Sequence, residues 1–103
     1  HMNKIEVWKM YALFELFNDL DTAQQILSEI QGGYSGKFIS AEDFCKAFEE
    51  ELDDLKHQNV PDFRQICIWF APTSAWDDFV GFEGMELANR ILGRADRWNK
   101  THL

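Results

Sequence analysis

The strongest constraint on the fold is an acidic segment that also carries a helical pattern of apolar residues. Between Glu42 and Asp54, seven of thirteen residues are acidic, and Lys46 is the one cation among them. This window carries a net charge of −6, out of −8 for the whole chain. Four apolar residues recur through it at helical spacing, namely Phe44, Phe48, Leu52 and Leu55. The segment therefore predicts an amphipathic helix that displays its acids on an ordered surface.

A helix surface with this much negative charge limits which partners the protein can bind. It repels nucleic acid and anionic membranes, and it attracts basic protein surfaces over a Debye length of about 8 Å. Like charges four residues apart, such as Glu49 with Asp53 and Glu50 with Asp54, cost some tenths of a kcal/mol per pair. We therefore predict that Glu49, Glu50, Asp53 and Asp54 serve contact with a basic protein.

Length and composition predict a single domain over residues 1–103. A chain of this length can bury a hydrophobic core without disulfides or a structural metal ion. A content of 46% apolar residues, with fifteen aromatics, excludes intrinsic disorder. Cys45 and Cys67 lie in apolar segments, which favours buried thiols in a reducing compartment over a disulfide. No segment is apolar enough for a membrane span, and the N-terminus lacks a signal-peptide pattern, so we expect a cytoplasmic protein. We interpret His1 before Met2 as a cloning remnant.

The first part of the chain predicts two helices. Residues 4–18 have apolar side chains on more than one face, which predicts a central and largely buried helix. Asn18, Asp19 and Asp21 predict a turn after it. A second helix, capped by Asp21 or Thr22, then runs to a stop at the glycines of positions 32 and 33.

A ten-residue loop, 31–40, separates these helices from the acidic helix. Ser40, with Asp43 three positions later, resembles a capping box, and we expect the acidic helix to run to about Lys56. The loop is rich in glycine and carries Tyr34, which is either a cover for the core or a contact for a partner.

Two further helices, with a short segment between them, complete the prediction of an all-α fold with about five helices. Residues 63–70 are rich in β-prone side chains, but no partner strand is evident, so a helix that starts near Pro61 is favoured. A short segment follows over 75–80, and a final helix runs from about Glu83 to Trp98. Gly93 inside this helix suggests a close helix contact.

The search for catalytic and metal-binding motifs finds no specific match. His57 and His102 lie at segment ends, and neither cysteine has a Cys-x-x-Cys neighbour. Asp77, Asp78 and Glu83 match no calcium-binding loop. We therefore predict a protein that is not an enzyme and that holds no metal or cofactor.

The aromatic residues after Pro72 leave two interpretations open. Trp76 stands in a loop-rich stretch beside carboxylates, a combination typical of interface anchors, but such a residue covers a small core equally well. We therefore predict Trp76, Asp77 and Asp78 as a second candidate contact site. The large aromatics expected in the core are Trp8, Phe14, Phe17, Phe44, Phe48, Phe63, Trp69 and Phe70.

A basic stripe runs along the C-terminal helix, with Arg90, Arg94, Arg97 and Lys100. The overall negative charge argues against nucleic acid as its partner. We expect these cations either to compensate the helix dipole or to pair with the acidic helix. Internal neutralisation of the acidic helix would remove the reason to expect a basic partner.

Residues 60–92 contain a Trp-Phe-Ala-Pro-Thr segment that starts at Trp69 and a Trp-Asp-Asp-Phe segment that starts at Trp76. This pattern resembles a family of small bacterial proteins of undefined function. In size, acidity and helical character, the chain is also similar to immunity proteins of contact-dependent growth-inhibition and related polymorphic toxin systems. That similarity implies a non-enzymatic inhibitor of one cognate toxin domain, such as a nuclease, in the cytoplasm.

Electrostatics fits this implication, because nuclease toxins present a basic substrate cleft to which an anionic inhibitor is steered. Two alternatives remain. A phage-type nucleic-acid mimic would use the same acids against several related nucleases. A small enzyme or ligand-binding domain would use the 69–83 region, and predicts a concave pocket with Trp76, Asp77 and Asp78 in its wall. We expect no nucleic-acid or membrane partner.

Overall fold

The computed structural model describes residues 4–103, and side chains from Lys9 onward. The α-helices are α1 (Lys4–Ser28), α2 (Ala41–His57), α3 (Arg64–Phe70), α4 (Ala75–Phe79) and α5 (Met85–His102). A 3-10 helix, Gly81–Gly84, joins α4 to α5. Within the described residues the sole β-pairing is an isolated bridge between Ser35 and Phe38. The prediction of an all-α fold with about five helices is confirmed, whereas the interpretation of His1 lies outside the described residues.

Helix α1 is one continuous helix of 25 residues, so the predicted turn at residues 18–21 is wrong. Asp19 is buried and binds arginines of α5, and the Thr22 hydroxyl donates to the Asn18 carbonyl oxygen at 3.1 Å. The polar side chains therefore find partners without breaking the helix. The turn comes later, where Gly32 and Gly33 adopt φ values of 74° and 80°.

An aromatic cluster between α2 and α3 forms the centre of the core. Phe44 and Phe48 of α2 are fully buried, and their ring centroids lie 5.4 and 6.1 Å from Trp69 of α3. Phe79 stacks on Phe44 at 5.6 Å. Each such pair contributes about 0.5–1.5 kcal/mol beyond the burial of its area. The helical spacing that predicted the buried face of α2 is therefore confirmed.

The outer face of the N-terminal half of α1 is apolar and exposed. Met10, Tyr11 and Phe14 are 54%, 65% and 70% exposed, on the side of the helix opposite to the buried Leu16 and Leu20. The prediction of a largely buried helix is wrong here, because α5 covers one side of this half and no described element covers the outer side. Phe14 is thus not a core residue, and the side chain of Trp8 lies outside the described residues.

Trp76 belongs to the core and not to the surface. Its indole is fully buried, its Nε1 donates to the carbonyl oxygen of Gly84 at 3.0 Å, and its ring packs on Phe70 at 4.9 Å. A Cβ atom on Gly84 would lie 2.5 Å from the Val80 side chain and 2.8 Å from the Trp76 ring. The 3-10 segment therefore closes over the indole only because position 84 has no side chain.

Helix α5 is held to the segment before α3 by two hydrogen bonds. Trp98 Nε1 donates to the Pro61 carbonyl oxygen at 2.8 Å, and the Phe63 N–H donates to Asn99 Oδ1 at 3.0 Å. Helix α3 begins at Arg64, so Pro61 lies before the helix and not in its first turn as predicted. Gly93 is exposed, and no atom would lie within 4 Å of a Cβ there, so the predicted close helix contact is wrong.

Two arginines of α5, Arg90 and Arg94, bind α1 and not the acidic helix. Arg90 binds Asp19 through Nη2 at 3.0 Å and Nε at 3.2 Å. Arg94 binds Asp19 at 3.2 Å and Glu15 at 2.7 Å. Among the described residues, no ion pair joins α5 to α2, so the predicted pairing of the basic stripe with the acidic helix is wrong.

Gly84→Ala should lower the free energy of unfolding by about 1–3 kcal/mol, because the new methyl group overlaps Val80 and the Trp76 ring. Gly93→Ala is the matched control, and it should raise the free energy of unfolding by about 0.5–1 kcal/mol, because alanine has a higher helix propensity than glycine. Urea denaturation followed by circular dichroism measures both. Equal stability of the Gly84→Ala variant and the wild type would contradict the packing described for Trp76.

Asp19→Asn should lower the free energy of unfolding by roughly 2 kcal/mol, because it removes the charge that accepts bonds from Arg90 and Arg94. Asp21→Asn removes an exposed carboxylate that binds Lys56, and should cost less than about 1 kcal/mol. Thermal unfolding of the two variants at one pH compares them. Equal losses would show that the buried pair is no more important than the exposed one.

Candidate functional site

The acidic helix α2 begins as predicted. Ser40 is its N-cap, and the Ser40 Oγ accepts the N–H of Asp43 at 3.2 Å. The carboxylate of Glu42 accepts the N–H of Gly32 at 2.7 Å, and this backbone hydrogen bond lowers the pKa of Glu42. Glu42 therefore fixes the end of the glycine-rich loop on α2 in addition to adding charge.

The four acids predicted to meet a partner are all exposed. Glu49, Glu50, Asp53 and Asp54 lie on the outer side of α2, and the buried stripe of the helix faces the core. Asp53 has a loose contact of 3.9 Å with His57 in the next turn. No cation of another helix binds any of the four among the described residues. The predicted display of these acids to solvent is confirmed.

The acids of α2 divide into two flanks because α1 and α3 pack on opposite sides of the helix. The flank toward α1 carries three acids, Glu42, Glu49 and Asp53, together with two lysines. One of these, Lys56, binds Asp21 of α1 at 2.9 Å, and the other, Lys46, lines a 230 Å³ cleft together with Glu49. Charge on this flank is therefore partly compensated.

The flank toward α3 carries acids and no cation. Helical periodicity of 100° per residue places four carboxylates on it, around Ala47. We call this set the α3-side ridge, and it consists of Asp43, Glu50, Glu51 and Asp54. Of the four acids that the sequence predicted, Glu50 and Asp54 belong to this ridge.

Glu51 is a ridge member that the sequence prediction missed. Its side chain is half-buried, and this burial is the main cause that raises its pKa, followed by the charges of Asp54 and Asp62. The raised pKa therefore reflects first the burial of the Glu51 carboxyl group and then its nearness to two other carboxylates. The signal was present in the sequence, because Glu51 follows Phe48 by three residues and so borders the buried stripe.

A groove of about 510 Å³ lies beside the ridge, between the 33–39 loop, α2, α3 and α4. We call it the α2–α3 groove. Its lining includes Lys37, Phe38, Ala47, Ile68, Trp69 and Asp78. Ile68 on its rim is 59% exposed, whereas Phe38 and Trp69 are half-buried. The groove therefore has an apolar floor that solvent can reach.

The three residues predicted as a second contact site, Trp76, Asp77 and Asp78, do not share one surface. Trp76 is buried, so its prediction as a surface contact is wrong. Asp77 accepts the N–H of Thr73 at 2.8 Å and supports that residue at a φ of 64°, a strained value for a β-branched side chain. Asp78 is exposed, accepts the Ser35 hydroxyl and lines the groove. The pocket expected of a ligand-binding domain therefore contains only Asp78 of the three.

The cysteines are unpaired, as predicted. Cys45 is buried and Cys67 is half-buried, and burial is the main cause that raises the pKa of each thiol. Both thiols therefore stay protonated at neutral pH and are poor nucleophiles. Within residues 4–103, no three potential metal ligands come together, and no helix has the length and apolar character needed to cross a membrane.

Glu51→Gln should raise the free energy of unfolding at pH 7. The folded-state pKa of Glu51 lies above its ordinary value of 4.5, so the carboxylate destabilises the folded protein as pH rises through that folded-state pKa. The gain should disappear below pH 4.5, where the carboxyl group is protonated in both states. Urea denaturation between pH 4 and pH 8 measures this difference.

Glu50→Gln is the control for Glu51→Gln, because it removes the same charge from the exposed neighbour. A gain for Glu51→Gln that is independent of pH, or that matches the gain for Glu50→Gln, would contradict the crowding of charge described at position 51.

Comparison with known proteins finds no match: no protein family matches the chain, and no curated protein or solved structure is significantly similar to it. The resemblance of residues 60–92 to a small bacterial family, and the general similarity to immunity proteins, therefore stay predictions. The acidic helix and the α2–α3 groove are the features of the chain that bear on its function.

Proposed function

We propose that this protein is an immunity protein that binds and neutralises a cognate toxin domain through the acidic surface of α2. The observation that supports this most is the position of the arginines. Arg90 and Arg94 bind Asp19 and Glu15 of α1, and α5 makes its main contacts with α1 and α3, so no cation of α5 pairs with a carboxylate of α2 among the described residues. A basic protein surface can supply those cations.

The physical mechanism is occupation of a basic cleft by an anionic surface. A nuclease toxin holds its substrate by phosphate contacts, so its cleft carries lysine and arginine. An ordered helix with −6 in thirteen residues is steered toward such a cleft, and it competes with nucleic acid for the same cations. The inhibitor needs no catalytic group, and it acts in the cytoplasm, where the toxin meets its substrate.

A small ligand-binding or enzyme domain is the second candidate, and the α2–α3 groove favours it. A groove of about 510 Å³ lies within the range of 300–1,000 Å³ that is common for small-molecule sites.

The nucleic-acid mimic remains an alternative that uses the same acids as the immunity protein. It differs by binding several related nucleases, where an immunity protein binds one.

Co-expression with the protein encoded immediately upstream of this gene tests the proposal, which predicts that this upstream protein ends in a toxin domain. We expect the toxin domain alone to arrest growth, and the two proteins together to restore growth and to elute as one complex in size-exclusion chromatography. Nuclease domains from unrelated toxin systems serve as controls, because an immunity protein should not protect against them. Protection against all of them would favour the mimic, and protection against none would contradict both.

Neutralisation of Glu49, Glu50, Asp53 and Asp54 by amides should slow association with that toxin domain by about tenfold or more at low salt, because electrostatic steering is lost. It should also flatten the dependence of the association rate on salt, without unfolding the protein. Stopped-flow fluorescence measures the rate.

The control for this variant carries the same change of charge elsewhere, in the exposed acids Glu29, Glu83, Glu86 and Asp96. Net charge alone would slow both variants equally. Equal rates for the α2 variant and the wild type would count against the acidic helix as the contact surface.

A further inference from the structure

We infer that the α2–α3 groove receives an apolar side chain of the toxin domain, while basic residues of the toxin bind the α3-side ridge next to it. This inference rests on the proposed function and narrows it. Only one flank of α2 makes the main contact, and the apolar part of the interface lies between α2 and α3. The flank toward α1, with Glu49 and Asp53, lies outside the main contact.

The groove has the composition of an interface anchor site. Its floor consists of the half-buried rings of Phe38 and Trp69, and Ala47 leaves space above them. Ile68 on the rim is 59% exposed and gains burial when a side chain enters. Binding energy in protein interfaces concentrates where an apolar or aromatic side chain fills such a pocket inside a polar rim. The volume of about 510 Å³ is ample for one aromatic side chain.

The charges around the groove select a basic partner. Ala47 is the residue of α2 that lines the groove, and it lies in the middle of the α3-side ridge. Helical spacing places Asp43 and Glu50 about one turn from Ala47, beside that opening, and Asp54 one turn beyond Glu50. No lysine or arginine shares this flank of α2. A partner cation therefore gains more here than on the flank toward α1, where Lys46 and Lys56 add positive charge beside Glu49 and Asp53.

The same charges disfavour other occupants. Nucleic acid would bring phosphates against the ridge, and a second copy of this chain would bring a second body with a net charge of −8. Lys37 and Asp78 at the loop side of the groove offer one charge of each sign, so they do not offset the ridge. The occupant that fits is a protein segment with an apolar side chain flanked by lysine or arginine.

Two charge-reversed double variants, one on each flank of α2, test the inference by comparison of their affinities. Glu50→Lys with Asp54→Lys changes the ridge, and Glu49→Lys with Asp53→Lys makes the same change of charge at the same spacing on the other flank. The probe is the upstream-encoded toxin domain, inactivated by substitution of its catalytic residue, and the affinity is measured by isothermal titration calorimetry. We expect the ridge variant to bind about 100-fold more weakly, and the other variant to lose less than about fivefold.

A second pair of variants tests the apolar part. Ile68→Ala removes most of an exposed side chain on the rim of the groove. It should weaken binding by about tenfold, because that side chain is buried when the partner binds. Val60→Ala removes a comparable exposed side chain that does not line the groove, and should leave binding unchanged. Both positions are more than half exposed, so neither variant should unfold, and urea denaturation of all four variants verifies this.

The outcomes separate the inference from the proposed function. If the wild type does not bind the toxin domain, the proposed function and the inference fail together. If the wild type binds, but the two charge-reversed variants lose equal affinity or Ile68→Ala has no effect, the groove is not the contact and the proposed function stands. Selective loss in the ridge variant and in Ile68→Ala supports both.

Discussion

The ion pairs between Asp19 and two arginines of α5 hold the C-terminal helix against α1. Asp19 is buried in the middle of α1, where an unpaired carboxylate would be strongly unfavourable, so it binds Arg90 and Arg94. Because α5 makes its main contacts with α1 and α3, its cations stay away from the carboxylates of α2. The way in which α5 packs therefore also leaves the negative charge of α2 exposed.

The fold could be predicted from the sequence wherever the signal is local. The spacing of Phe44, Phe48 and Leu52 fixed the buried face of α2, and Ser40 fixed its start. The turn predicted at residues 18–21 was wrong because the partners of Asp19 lie 71 and 75 residues away. A cluster of polar residues is typical of a turn only when no distant cation is available to it. The same limitation applies to Gly93, whose neighbours depend on helix packing.

The candidate site could be predicted only in part, for the same reason. Exposure of Glu50 and Asp54 followed from the helical period, but the difference between the two flanks of α2 depends on which helices pack beside it. Trp76 has the sequence surroundings of an interface residue, yet its N–H finds the carbonyl oxygen of Gly84 and its ring is enclosed. The groove is built from four segments of the chain, so no single stretch of sequence contains its pattern.

The exposed apolar face of α1 makes the colloidal behaviour of the protein sensitive to ionic strength. Met10, Tyr11 and Phe14 together present several hundred Å² of apolar surface, on the order of the largest patch of a typical monomer. At low ionic strength the net charge of −8 keeps separate molecules apart. Near 1 M salt the screening length shrinks to about 3 Å, and these faces can approach one another. Self-association of this protein should therefore increase with salt concentration.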